Sequence, residues 1–192
     1  MEQDPYARLR EILPDAPPPT AAPHRRQAAV LLPLVPTGDA PHPMGTAILF
    51  TQRTMAVATH KGQISFPGGA IEGEESPAAA ARRETGEELG VPPSALDLLG
   101  CLGSFPTLTS GWEIKAFVGL LLAADLAPSP REVDRLLRIP LPDLMAQRRR
   151  LLASKERVTT WPTFHHQEGE RHFTIWGATA RILAAFLDLQ AR

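Results

Sequence analysis

Residues 69–91, GAIEGEESPAAAARRETGEELGV, spell out a helix together with both of its ends. Ser76 can accept a hydrogen bond from the free amides of a first helical turn, and Pro77 suits the first helical position, where a missing N–H removes nothing. The alanines at 78–81 carry the highest intrinsic helix propensity. Gly90 can take the left-handed conformation that closes a helix, and Pro92 and Pro93 bar its continuation. The expected helix therefore runs from Ser76 to Leu89.

On that helix Glu84, Glu87 and Glu88 stand at i, i+3 and i+4 and so share one face. A solvated face of mixed Glu and Arg is the ordinary explanation of such a pattern. Two costs argue for a site instead. Like charges at this spacing repel, and the C-terminal end of a helix dipole disfavours anions. The turn Phe66-Pro67-Gly68-Gly69 just upstream can also bring backbone groups beside the helix. A divalent cation such as Mg²⁺ or Mn²⁺, held by oxygen ligands with retained water, reconciles these features. Gly86 costs about 1 kcal/mol relative to alanine in a helix interior, which implies that a backbone or a ligand approaches closely there.

The spacing Gly69, five residues, Glu75, seven residues, then Arg83-Glu84-Thr85-Gly86-Glu87-Glu88-Leu89-Gly90-Val91 resembles the signature of the Nudix hydrolases, which cleave a nucleoside diphosphate linked to another moiety. Every charged and glycine position of that pattern is matched. Thr85 departs from it, standing where the family usually has an aliphatic residue, and its branched shape implies a packing adjustment only. The resemblance implies an α/β/α sandwich with a central mixed sheet. It also implies that Glu84, Glu87 and Glu88 hold the metal, that Arg83 orients the carboxylates, and that Glu75 pairs with Arg83 or contributes through water. Glu84 is the candidate general base, although family members differ in where the base comes from.

Upstream, Leu49, Thr51, Arg53, Gly62, Phe66, Pro67, Gly68 and Gly69 fall into register with an extra motif that marks the coenzyme A pyrophosphatase branch of this family. Phe50 replaces its second leucine. Ala58 stands where that branch usually has an arginine, a contact that Lys61, Arg53 or His60 could replace. Segments at 130–133, 139–141 and 175–183 are similar to the same branch, so the resemblance covers roughly residues 27–188. Coenzyme A carries a 3′-phosphate on its adenosine, and a basic pocket beside the diphosphate could read it. Arg25, Arg26, Arg53 and Lys61 are the candidates, with Gly68 and Gly69 lining the approach. A solvated basic pair opening a strand explains Arg25 and Arg26 equally well. The alternatives are another nucleoside diphosphate derivative, such as ADP-ribose or a dinucleotide, and a noncatalytic nucleotide sensor.

With 192 residues, 43% of them hydrophobic, the chain is long enough for one well-buried core and short for two full domains. Lys and Arg number 20 against 21 Asp and Glu, so no net basic field exists for nonspecific nucleic-acid binding. The expected partner is a small nucleotide, with neither nucleic acid nor membrane. Cys101 is the single cysteine and reads as a small buried residue. The opening MEQDPYARLREIL is charged and the apolar stretches are short, so no secretory signal or spanning helix is expected and a cytoplasmic location is.

Residues 1–24 are expected as a short helix and proline-rich arm, and 25–192 as the catalytic domain. Strands are expected at 28–35 (an edge or bulged one, because of Pro33), 46–52, 96–105 and 113–122. A helix is expected over 129–137 with Glu132 on it, as either a solvated carboxylate or an additional ligand or base. Pro140 and Pro142 should break the chain before a helix at 144–152. A strand pair at 159–165 and 171–175 should turn at Glu168-Gly169, and a last amphipathic helix should span 178–189. The loop 107–111 could line the pocket. His165, His166 and His172 lack zinc-site spacing, and Trp112, Trp161 and Trp176 suit packing, with one able to stack on adenine.

Overall fold

The computed structural model describes residues 4–17, 24–37, 45–55, 61–123, 125–153 and 161–191. A seven-stranded mixed sheet forms its centre. β1 (Arg26–Pro36) runs parallel to β6 (Trp112–Leu121), from Arg26 opposite Trp112 to Leu34 opposite Leu120. The other ladders are antiparallel: β5 (Leu96–Pro106) on β6, β2 (Thr46–Arg53) on β1, and β7 (Val133–Pro140) on β2. The short β3 (Ile64–Ser65) joins β2, and β4 (Gly68–Ala70) joins β1.

α2 (Pro77–Leu89) covers one face of the sheet, where Ala80, Ala81 and Leu89 meet Ala29, Leu31 and Phe117. The opposite face packs α1 (Ala7–Ile12), α3 (Leu141–Ala153), α4 (Gly177–Gln190) and the hairpin of β8 (Phe164–Glu168) and β9 (Arg171–Ile175). This is the expected three-layer α/β/α arrangement around a mixed sheet. Phe50 fills its leucine-like place at the centre, fully buried and stacked on Phe66 with ring centroids 4.9 Å apart. Among the described residues, no helix is long and apolar enough to cross a membrane.

α2 forms as its local code requires. The Ser76 hydroxyl accepts a hydrogen bond from the Ala79 amide at 3.2 Å, and Gly90 ends the helix at φ 66° and ψ 38°. The close neighbour implied by Gly86 is backbone: a Cβ there would lie 3.0 Å from the Val91 carbonyl oxygen. Thr85 is fully buried and its hydroxyl has no hydrogen-bond partner. A buried unsatisfied hydroxyl costs roughly 1–3 kcal/mol. Thr85→Val keeps the shape and removes that cost, so it should stabilise the fold by about 1 kcal/mol and raise Tm by roughly 2–4 °C. Thermal melts check this, and a lowered Tm would contradict it.

Three expectations need correction. β1 is an interior strand, with no edge or bulge at Pro33. The Leu31 amide points to the Pro67 carbonyl (3.0 Å), so the Pro33 nitrogen, two residues on, faces the same side. There the partner of β1 changes from β4 to β2, and the missing N–H breaks no ladder. Residues 133–137 form strand in place of helix: β7 pairs with β2 and turns Leu137 and Ile139 into the core. Pro142 does not delay the next helix but sits in the first turn of α3, where proline is tolerated. The 3₁₀ turn Pro93–Ala95 directly follows α2, a feature not foreseen.

The N-terminal segment packs against the sheet. Tyr6, Leu9 and Leu13 join the main core, the Tyr6 hydroxyl meets that of Thr46 at 2.9 Å, and the Cys101 amide donates to the Pro14 carbonyl. Residues 18–23 lie outside the described residues, as do Ala58 and His60.

Candidate active site

The end of α2 is tied to the following chain through its unsatisfied carbonyls. The Ser129 amide donates to the Glu88 carbonyl and the Ala127 amide to that of Leu89. The Thr54 amide donates to the Glu132 carbonyl. These bonds draw the segment 127–132 alongside Arg53 and the helix, close enough that the Glu132 charge acts on both Glu84 and Glu88.

Arg83 is the organising cation. It reaches Glu75 at 2.7 Å, Glu84 at 2.9 Å, Glu87 at 3.5 Å and the Ala70 carbonyl at 3.2 Å. Glu75 also accepts from the Glu72 amide, and the Arg83 guanidinium holds its carboxyl below the usual range. Arg83 thus pairs with Glu75 and contacts two of the three helix glutamates. The three helix glutamates share an edge but differ in environment. Glu87 is exposed, Glu84 is largely covered, and Glu88 is buried. Among the described residues no three acidic, His or Cys groups converge as a ready ligand set, so the helix face is a looser constellation than its spacing suggests. Mutual repulsion and the pull of Arg83 account for that.

Glu88 is the most strained charge. Burial pushes its pKa up to about 8, with Glu132 and Glu84 adding to the rise and Arg53, 3.7 Å away, and the Gly68 amide opposing it. Its Oε2 is buried without a hydrogen-bond partner. Burial likewise raises Glu84, against the pull of Arg83. A hard divalent cation answers both the orphaned oxygen and the concentration of like charge, so the residues present fit the family's general use of Mg²⁺ or Mn²⁺.

A pH dependence follows. Between the ordinary value of 4.5 and about 8, the folded metal-free chain keeps a proton on Glu88 that the unfolded chain has lost. This contribution to stability is fully present on the acid side and disappears as pH rises through about 8. A cation held by Glu88 would compete with that proton for the same carboxylate, so Mg²⁺ should then raise Tm more near pH 8 than near pH 6. Melts with and without the ion check this, and an equal increment at both values would contradict it.

Gly68 and Gly69 have separate steric duties. Gly68 adopts φ +145°, and a Cβ there would lie 2.3 Å from the Ala29 carbonyl oxygen. At Gly69 a Cβ would lie 2.4 Å from the Glu84 carboxyl carbon. Both glycines line a cavity of about 700 Å³ that also includes Arg53 and Phe66.

The family profile described as the NUDIX domain matches residues 24–162. The chain belongs to the Nudix family. Two bacterial relatives are the Nudix hydrolases NudL of Escherichia coli K12 and of Shigella boydii serotype 18, both described as uncharacterized. Each is 33% identical over 167 residues, covering 83% of this chain and 80% of the relative. Among solved structures, a MutT/nudix family protein from Enterococcus faecalis has a TM-score of 0.58 at 14% identity, covering 88% of this chain and 63% of that one. A Caenorhabditis elegans Ap4A hydrolase binary complex has a TM-score of 0.53 at 17% identity, covering 86% and 98%. These likenesses bear on the fold. As a Nudix hydrolase, the chain is one of a family that acts on small nucleotide derivatives.

Of the remaining candidates, Arg25 donates to the Thr107 and Trp112 carbonyls, and Arg26 lies over the Trp112 ring. Lys61 is exposed and stands apart from the cavity lining. The loop after β5 does line the cavity, through Thr107, Leu108, Thr109 and Ser110. Trp112, Trp161 and Trp176 line it as well, with Trp161 and Trp176 exposed. Sequence reasoning missed Arg181, which lies on the cavity wall. Its only sequence signal was a place in the segment at 175–183.

Proposed function

We propose that this Nudix hydrolase cleaves the diphosphate of coenzyme A, or of a close derivative, into 3′,5′-ADP and 4′-phosphopantetheine. One observation carries the reading: Arg53, Phe66, Gly68 and Gly69, all from the upstream coenzyme A-type motif, line one cavity beside Glu84 and Glu88. Glu84, Glu87 and Glu88 hold Mg²⁺ or Mn²⁺. When bound, the cation neutralises diphosphate charge and acidifies water. Arg83 sets the carboxylates, Glu84 or Glu132 accepts the proton of the attacking water, and Arg53 contacts the diphosphate. Arg25 supports the wall through Thr107. Water adds across one phosphoanhydride: its hydroxyl joins one phosphorus, and the other phosphate leaves with the bridging oxygen.

The test is product analysis by mass spectrometry with Mg²⁺ on coenzyme A, dephospho-coenzyme A, ADP-ribose and a diadenosine polyphosphate. Coenzyme A should be cleaved with the highest kcat/KM. Turnover confined to the other nucleotides would overturn the substrate assignment, and nucleotide binding without turnover of any compound would identify a sensor.

A further inference from the structure

The cavity holds a cation that the hydrolytic step does not use. Arg181, the fifth residue of α4, lays its guanidinium over Trp161, 4.6 Å from the ring centroid, and donates from Nη1 to the Pro106 carbonyl at 2.6 Å. No carboxylate balances it among the described residues. Burial alone acts on its pKa, lowering it. A partly desolvated guanidinium with a ring behind it and no acid beside it presents its remaining N–H groups to an anion.

Its position relative to the glutamates gives that anion a place in a substrate. The pairing of β4 with β1, β1 with β6 and β6 with β5 orders the lining from Gly68 and Gly69 through Val30 and Ile114 to the loop after β5 and to Arg181. Arg53, on the wall at β2, lies 3.7 Å from Glu88, and Gly69 abuts Glu84, whereas Arg181 meets the wall at the Pro106 carbonyl that ends β5. Between them the surface is largely apolar, suited to a base or ribose. Arg25 and Arg26, by contrast, are not among the residues that line the cavity.

We propose that Arg181, braced on Trp161, binds a phosphate carried by the nucleotide away from the cleaved diphosphate, and thereby selects 3′-phosphorylated coenzyme A over its dephospho form. The identity of that phosphate rests on the coenzyme A reading. The planar guanidinium offers the forked pair of donors that a phosphate accepts, and Trp161 limits its rotation.

The experiment compares kcat/KM for coenzyme A and dephospho-coenzyme A in the wild type, Arg181→Gln and Arg181→Lys. Calorimetry of adenosine 3′,5′-bisphosphate and adenosine 5′-monophosphate accompanies it. Wild type should prefer the 3′-phosphorylated member of each pair. Arg181→Gln should reduce that preference by roughly 10–100-fold, mainly through KM, as expected for a hydrogen bond to a charged group. Arg181→Lys, which keeps the charge but loses the fork, should retain part of it and provides the readout if the glutamine variant does not fold. Equal losses on both substrates with the ratio preserved would make Arg181 a structural residue and overturn the proposal. Cleavage of coenzyme A by wild type without 3′-phosphate preference would also overturn it and leave the reaction standing. Failure to cleave coenzyme A, combined with Arg181-dependent preference for the bisphosphate, would keep the phosphate site and remove the coenzyme A reading.

Discussion

Glu88→Gln should lower kcat/KM by at least about 100-fold, beyond the 10–100-fold typical of groups that only support a metal ligand. The substitution is nearly isosteric and replaces an oxygen that has no hydrogen-bond partner in the folded chain. Near neutral pH burial already keeps that carboxyl protonated in the folded chain, so a neutral amide in its place should leave the variant folded and at least as resistant to denaturation as wild type. Glu87→Gln should reduce turnover in the same direction with little change in Tm, because that side chain is exposed. Near-wild-type rates in both variants would remove these residues from the metal site.

The second large effect separates two adjacent glycines. Gly69→Ala places a methyl group 2.4 Å from the Glu84 carboxyl carbon, the far end of a flexible side chain that can swing away. The fold should tolerate this, while displacement of Glu84 should lower activity by roughly 10–100-fold, the effect of losing a positioned ligand. Gly68→Ala meets the Ala29 carbonyl oxygen and the Val30 Cα, both fixed in β1, at a backbone φ that suits glycine. It should cost roughly 3 kcal/mol or more and reduce soluble yield. Activity and chemical denaturation measured on both variants check the pair. A fully active Gly69→Ala protein would show that Glu84 is not held where the site needs it.

What could be read from the sequence was what is locally encoded. Ser76, Pro77 and Gly90 define α2 through contacts within a few residues, so the helix and its ends were legible, and with them the order of Glu84, Glu87 and Glu88. β7 was not. Val133, Leu136 and Leu137 have helical spacing, and only the pairing of β7 with β2, set by residues some eighty positions away, makes Leu137 and Ile139 the core-facing pair. Pro33 likewise became an interior residue because of a partner change that no local pattern reports. Glu113 and Lys115 alternate with apolar neighbours as in a half-exposed strand, yet both are buried under the α2 face. They form a 3.1 Å ion pair, and the Ser104 hydroxyl, which bonds both, holds Glu113 below the usual carboxylate range. The cavity was out of reach for the same reason. Arg53, Ile114, Trp161 and Arg181 come from four parts of the chain, and only the folded sheet brings them to one wall.

Manganese binding near pH 8, followed by electron paramagnetic resonance on wild type, Glu84→Gln, Glu87→Gln and Glu88→Gln, tests the metal assignment most directly. The wild-type chain should hold the ion, and each substitution should weaken its hold by at least about 10-fold. Unchanged binding across the three variants, or none in wild type, would contradict the assignment of these glutamates as the metal ligands.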